Sequence, residues 1–196
     1  MVTKLKYGNT NTYFIRGTKG GVLLDTDYAG SLPAFFRKIK KSNISMNDIA
    51  YVLGTHYHPD HMGLFGELAD MGIKILAVDE QVSYMHCSDE IYMREPRLKY
   101  KPIKEDMVTI IDCEESRSFL SALGIEGELV YTPSHSQDSI SLILDDGHCF
   151  VGDMEPIEFI DGYEDNLALK NDWAKIKAYS PRIIHYGHAP ERILEL

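Results

Sequence analysis

Seven side chains able to ligate a transition metal stand at four separated points of this 196-residue chain, and the densest point is the run Thr55-His56-Tyr57-His58-Pro59-Asp60-His61. Imidazole nitrogens suit zinc and iron, and a carboxylate can complete such a set. Four of the seven residues in the run qualify. A polar surface turn that happens to be rich in histidine is the plain alternative, but such a turn need not lie between an apolar strand, Ala50-Tyr51-Val52-Leu53, and an apolar segment, Met62-Gly63-Leu64-Phe65.

The remaining candidates each fall just beyond an expected strand. His135 follows Glu128 to Thr132, Asp153 follows Cys149 to Gly152, and His188 follows Arg182 to His185. Loops held by rigid strands are where sites are built, and several strand ends in a sheet can converge on one spot. Ligands so far apart in sequence require that convergence.

The elements that must position them can be read from period and punctuation. Residues 12–16 and 21–25 are short apolar runs joined by Gly17-Thr18-Lys19-Gly20, a hairpin pattern. Ser31 is placed to cap a helix whose apolar positions Leu32, Phe35, Phe36 and Ile39 follow the i, i+3, i+4, i+7 rule. A strand over 50–54 leads into the histidine run. Then come a helix over 63–71, a strand over 74–78 and a helix over 80–87. Residues 88–106, with Pro96, Pro102 and mixed charge, resist assignment, and a lid is one reading. Beyond them, 115–123 reads as a helix stopped by Gly124, 139–144 and 149–152 as strands around the turn Asp145-Asp146-Gly147-His148, and 172–178 as a helix carrying the single tryptophan. Strands and helices are mixed, with hairpins early and late, so the expected fold is a layered α/β sandwich forming a single domain over residues 1–196.

Composition sets limits. At 44% hydrophobic the chain can build a sizeable core. The three cysteines, Cys87, Cys113 and Cys149, are odd in number and lack a C-x-x-C spacing, so buried free thiols are expected rather than disulfides or a thiolate metal knuckle. Net charge is −10, and residues 145–165 hold eight carboxylates without a lysine or arginine, which disfavours nucleic acid and anionic membranes as partners. Arg94, Arg97, Lys99, Lys101 and Lys104 run the other way. They read as a solvated loop, or as an anion-attracting rim beside a site. No apolar run is long enough to span a bilayer and the first residues lack the apolar stretch of a secretory signal, so a cytoplasmic protein is expected.

The motif order resembles the metallo-β-lactamase fold superfamily of binuclear metallohydrolases. The H-x-H-x-D-H pattern stands as His56, His58, Asp60 and His61. The later single histidine is His135, the Gly-Asp is Gly152-Asp153, and the last histidine is His188 in Gly187-His188-Ala189-Pro190, while Asp25 in Leu23-Leu24-Asp25 ends the second strand. The resemblance implies a four-layer αββα sandwich, with His56, His58 and His135 on one metal, Asp60, His61 and His188 on the other, Asp153 bridging both, and Asp25 orienting a ligand histidine from behind. His185 is a rival to His188, but the Gly-His-x-Pro context favours the latter. Two departures stand out: Ser134 occupies a position usually taken by glycine, so serine must reach a backbone conformation natural to glycine, and Ser136-Gln137-Asp138 replaces a glycine-rich sequel. His86 and His148 match no motif and read as ordinary surface or loop residues.

The implied chemistry is hydrolysis. Two divalent ions, zinc by expectation with iron or manganese as alternatives, generate a bridging hydroxide that attacks a small ester, lactone, thioester or amide, with Asp60 and Asp153 as the carboxylates nearest the reaction. No Gly-x-Ser-x-Gly elbow competes. An iron-dependent oxygen-chemistry enzyme on the same fold, of the persulfide dioxygenase or di-iron type, is the other reading, although the di-iron type carries Glu where His58 stands.

Overall fold

Successive residues of a strand point to opposite faces, so a strand that is apolar at every position must be covered on both sides. Leu23 and Leu24, Val52 and Leu53, and Ile75 and Leu76 are such neighbours, all buried, and within each pair one residue enters an outer core and the other an inner one. The computed structural model describes residues 1–162 and 165–194. It contains two sheets. In the first, β1 (Val2–Lys4), β2 (Tyr13–Ile15), β3 (Gly21–Leu24), β4 (Ile49–Leu53), β5 (Lys74–Val78) and β6 (Val108–Ile111) lie side by side in chain order, antiparallel up to β3 and parallel from there. In the second, the spatial order is β11 (Arg192–Ile193), β10 (Ile183–His185), β9 (His148–Phe150), β8 (Ile140–Leu144) and β7 (Gly127–Tyr131), antiparallel except for the parallel pair β9–β10.

Three apolar clusters separate four layers. Phe35 and Ile39 of α1 (Leu32–Lys41) and Phe65 and Leu68 of α3 (Phe65–Asp70) pack with Phe14, Leu23, Val52 and Ile75 on the outer face of the first sheet. Between the sheets lie Ile15, Val22, Leu24, Leu53 and Leu76 against Leu129, Leu142 and Phe150, joined by Leu120 of α5 (Ser116–Leu123). Trp173 and Ile176 of α6 (Leu167–Ala178) cover the outer face of the second sheet at Ile143, Cys149 and Ile184. The order is therefore helix, sheet, sheet, helix, and the αββα expectation holds. Two short helices complete the set, α2 (Pro59–Met62) inside the histidine run and α4 (Asp89–Met93). Among the described residues, no helix is long and apolar enough to cross a membrane.

Several local expectations are revised. Ser31 precedes α1 but its side chain makes no capping hydrogen bond. The helix expected over 63–71 begins only at Phe65, because Asp60 and His61 already lie on α2, and 79–84 forms a 3-10 helix. Strands β1, β6 and β11 lie at sheet edges, where few strand residues are buried and the apolar pattern is weak. Of the cysteines only Cys149 is buried; Cys113 is half-buried and Cys87 exposed.

Residues 88–106 are packed onto the body of the fold. Tyr92, Tyr100 and Ile103 join the outer core, Tyr92 and Tyr100 stack at 4.2 Å, and the Tyr92 hydroxyl accepts from Ala29 N at 3.2 Å while donating to the Pro59 carbonyl. The segment buttresses the histidine run from behind. Four of its five basic residues are engaged nearby: Arg94 with Glu90, Arg97 with Glu95, and Lys101 and Lys104 with Asp70.

Candidate metal centre

Because β3 and β4 are parallel, their C-terminal ends lie together, and Asp25 meets the loop that leaves Leu53. Asp25 N donates to Leu53 O at 2.8 Å, and the residue adopts φ +58°, a left-handed conformation that costs an L-residue with a side chain about 1–2 kcal/mol. Two hydrogen bonds hold it there: Thr55 N donates to Asp25 Oδ1 at 2.6 Å and Thr55 Oγ1 to Asp25 Oδ2 at 3.0 Å. From the other sheet, the ends of β9 and β10 deliver Asp153 and His188. Gly187 N donates to Gly152 O at 2.7 Å. A Cβ at Gly187 would fall 2.3 Å from Asp153 Oδ1 and 2.8 Å from His61 Cε1, and one at Gly152, at φ +59°, 2.5 Å from Thr55 Oγ1, so the two glycines let the strand ends of opposite sheets touch.

All seven sequence-selected residues gather at this seam. His58 Nδ1 lies 3.0 Å from His56 Nε2 and 3.2 Å from His135 Nε2. His188 Nε2 lies 3.0 Å from Asp60 Oδ2 and 3.4 Å from His61 Nε2. Asp153 stands between these two groups. Its Oδ1 is 3.3 Å from His61 Nε2, and its Oδ2 is 3.3 Å from His188 Nε2 and 4.0 Å from both His56 Nε2 and His135 Nε2. Ligand atoms of His56, His58 and His135 fall within 4.8 Å of one another, as do those of His56, His61 and Asp153, and those of Asp60, His61 and His188.

The donor set fits cations. Three ring nitrogens facing each other at hydrogen-bond distance repel unless something positive lies among them, and one cation satisfies all three where one proton cannot. Nitrogen ligands ~2.0–2.1 Å from a tetrahedral zinc stand about 3.3 Å apart, close to the spacings found here. The tautomers agree. The single Thr55 hydroxyl proton goes to Asp25, so Thr55 Oγ1, 3.2 Å from His56 Nδ1, accepts from that nitrogen and leaves the His56 Nε2 lone pair facing the centre. On the far side of His61, Nδ1 is 3.0 Å from Asp25 Oδ2, which aims its Nε2 inward as well.

Local fields differ from residue to residue. Burial and the neighbouring His61 hold His56 well below the ordinary imidazole range, and burial lowers His135 too. His61 goes the other way: burial alone would lower it, but the carboxylates of Asp25 and Asp153 outweigh that and hold it up at about 10. Burial would raise Asp153, yet His61 keeps its carboxyl below the ordinary range. His56 and His61 are buried, whereas His135 and His188 reach solvent beside a cavity of about 290 Å³ that also touches Met154, Glu155 and Tyr186.

His185 does not join the centre: it lies between the sheets, stacked on Phe150 and 2.7 Å from His148 Nδ1 through Nε2. His148 thus stands at a strand start rather than in a free loop, and His86 pairs with Asp89 at the surface. Ser134 is not among the described residues with positive φ, so no glycine-like conformation is demanded of it, and its amide donates to the buried Asp172 at 2.8 Å.

Four positioning residues escape a reading of the sequence. Thr55 is one. Asp138, buried, accepts from Tyr57 N at 2.6 Å and from Ser136 Oγ at 2.7 Å, tying the His56–His58 loop to the His135 loop. Asn11 donates from its side-chain amide to Tyr186 O at 2.8 Å and Ala189 O at 3.0 Å, gripping both flanks of Gly187-His188, while Thr10 Oγ1 donates to Asp60 O at 2.7 Å. Their only sequence signal is a polar residue close to an apolar strand, which many turns share.

Comparison with known proteins identifies the family and the fold. The family profile described as the Metallo-beta-lactamase superfamily matches residues 5–188. A probable metallo-hydrolase of Methanocaldococcus jannaschii is 28% identical over 149 residues, covering 74% of this chain and 68% of that protein. An atrochrysone carboxyl ACP thioesterase of Pseudocercospora fijiensis is 24% identical over 152 residues, covering 76% of this chain and 38% of its own. Most curated relatives are longer, and the chain spans about two-fifths to a half of their length. Among solved structures, a metallo-beta-lactamase family protein from Thermus thermophilus superposes with a TM-score of 0.72 at 18% identity, over 98% of this chain and 74% of that one.

Proposed function

The chain belongs to the metallo-β-lactamase superfamily, and on that premise we propose that it is a dinuclear, zinc-dependent hydrolase of a small neutral ester, lactone, thioester or amide. One observation carries the reading: two three-ligand groups, His56-His58-His135 and Asp60-His61-His188, meet on the two oxygens of Asp153. The fold family implies metal ions, and three imidazoles on one side with a mixed nitrogen and oxygen set on the other suit zinc. The thioesterase named among the relatives supports the inclusion of thioesters.

Bound there, a pair of divalent cations supplies a water acidified to a pKa of ~7 and Lewis-acid stabilisation of the charge that develops on the substrate oxygen. The chain's own residues do the rest. Asp60, steadied by Thr10 at its carbonyl oxygen and 3.0 Å from His188 through Oδ2, is placed to accept the proton of the attacking water and pass it to the leaving group. Asp25 and Thr55 hold His61 and His56 in the tautomers that face the centre. The cavity beside His135 and His188 admits the scissile bond from the solvent side. An acidic chain of net charge −10 disfavours polyanionic substrates such as nucleic acid.

The test is metal quantification of the purified protein, followed by a panel of lactones, thioesters and neutral aryl esters. Two zinc per chain with hydrolysis of at least one class is the expected result. One iron per chain with oxygen consumption would replace this reading by the oxygenase one.

A further inference from the structure

The cavity beside the metal centre does not end at Tyr186. A second hollow of about 540 Å³ shares Pro156, Tyr186 and Ala189 with it and continues outward past Phe159, Pro190 and Arg192. The shared wall is built rather than incidental. Tyr186 is buried, its ring packs edge-on against Trp173 at 6.5 Å, and its hydroxyl accepts from Ile157 N at 3.3 Å. Trp173 Nε1 donates to Glu155 O at 3.0 Å, so 155–157 is pinned from two sides. Phe159, whose amide donates to Pro156 O at 2.9 Å, nevertheless leaves its side chain 58% exposed along this course. Phe159 lines the same hollow as Pro156, Tyr186, Ala189 and Pro190, so its exposed ring is part of an apolar groove rather than a lone surface aromatic.

Charge narrows the choice. Arg192 is the cation of the hollow, and Glu158 engages it at 3.0 Å; Glu155 and Glu191 add negative charge along the same course. An arm ending in carboxylate or phosphate would be repelled there, while an uncharged apolar one would not. Continuity with the centre makes the occupant part of the substrate itself.

We infer that the groove from Tyr186 to Phe159 is the acyl subsite of this enzyme, and that it takes the uncharged apolar arm, of medium-chain length, of the substrate whose ester-like bond lies at His135 and His188. This deepens the hydrolase reading above and rests on it. Burying a methylene is worth a factor of up to about four, so partial burial of several should show clearly in chain-length dependence.

The experiment compares p-nitrophenyl acetate, p-nitrophenyl octanoate and the p-nitrophenyl half-ester of suberic acid on the zinc-loaded protein and its Phe159→Ser variant. Expected are a kcat/KM at least about tenfold higher for octanoate than for acetate, a loss of that gain at the suberate carboxylate, and a drop of about fivefold for octanoate alone in the variant. Chain-length independence, or equal losses on acetate and octanoate in the variant, would overturn the assignment. If none of these esters is turned over, the lactone and thioester panel decides the hydrolase reading separately, and 1-octanol titrated into the same two proteins decides the groove: binding weakened by Phe159→Ser supports it, and no binding, or equal binding to both proteins, removes it. A variant with altered oligomeric mass in gel filtration would mean that a second copy covers Phe159, which also overturns the proposal.

Discussion

Asp25 Oδ2 lies 3.0 Å from His61 Nδ1 and equally 3.0 Å from the Thr55 hydroxyl, so one carboxylate oxygen serves a histidine of each ligand group, His61 directly and His56 through Thr55. Replacing Asp25 by Asn keeps the shape but removes the charge that orients both rings. Cation affinity should fall by roughly 10- to 100-fold, as for other partners that support ligand histidines. Chelator competition measures it; an unchanged affinity in a folded variant would reduce Asp25 to a turn former.

His58 and His148 offer a direct contrast, since the first faces His56 and His135 while the second stacks on His185 away from the centre. His58→Ala should lose one equivalent of metal and more than about 100-fold in hydrolysis, a larger effect than removal of a supporting partner. His148→Ala should retain both metals and near-normal turnover. Similar activity in the two variants would count against the assigned centre.

Asn11 grips the carbonyls of Tyr186 and Ala189 on either side of His188. Asn11→Ala strands two acceptors and should cost about 1–3 kcal/mol in stability. More tellingly, it should weaken the second equivalent of metal before the first, because His188 belongs to only one ligand group. Stepwise metal titration followed calorimetrically reads this, and parallel weakening of both equivalents would reduce Asn11 to a general fold contact.

Acid sensitivity has an identifiable contributor away from the centre. Burial, then the neighbouring His148, hold His185 at about 4, against an ordinary value of 6.5. The folded protein keeps His185 neutral while the unfolded chain takes up a proton below ~6.5, so stability present above that pH is lost as pH falls from ~6.5 toward about 4. In His185→Phe the fall of the melting temperature between pH 7 and pH 5, at fixed excess zinc, should be shallower. An identical slope would assign the effect to other groups.

The centre was legible because its ligands are histidines and aspartates, residue types uncommon just beyond apolar strands, and because His56 to His61 concentrates four of them. Asp25 was legible through the family resemblance, as the acid that ends the second apolar strand. Asn11 and Asp138 were not: each is a single polar residue whose partners lie 175 and 81 positions away, and only the packed sheets bring them together. The layer order was implied by the family resemblance; strands apolar on both faces, such as Val52-Leu53, give its physical reason in the structure, whereas β6, with Ile110 exposed at a sheet edge, carries little of that pattern. The segment around Tyr92 looked like a loop because proline and charge dominate its sequence, while three spaced apolar side chains anchor it.

The two sheets each contribute part of the ligand set, with His56 to His61 leaving β4 and Asp153 and His188 leaving β9 and β10. A slip of one residue in the β9–β10 pairing would turn Asp153 toward the opposite face and break the approach of Gly152 to Gly187. On the dinuclear reading, coordination would therefore proofread strand alignment: a misthreaded chain would forfeit both ions at once, and holding them would certify that the halves have docked in register.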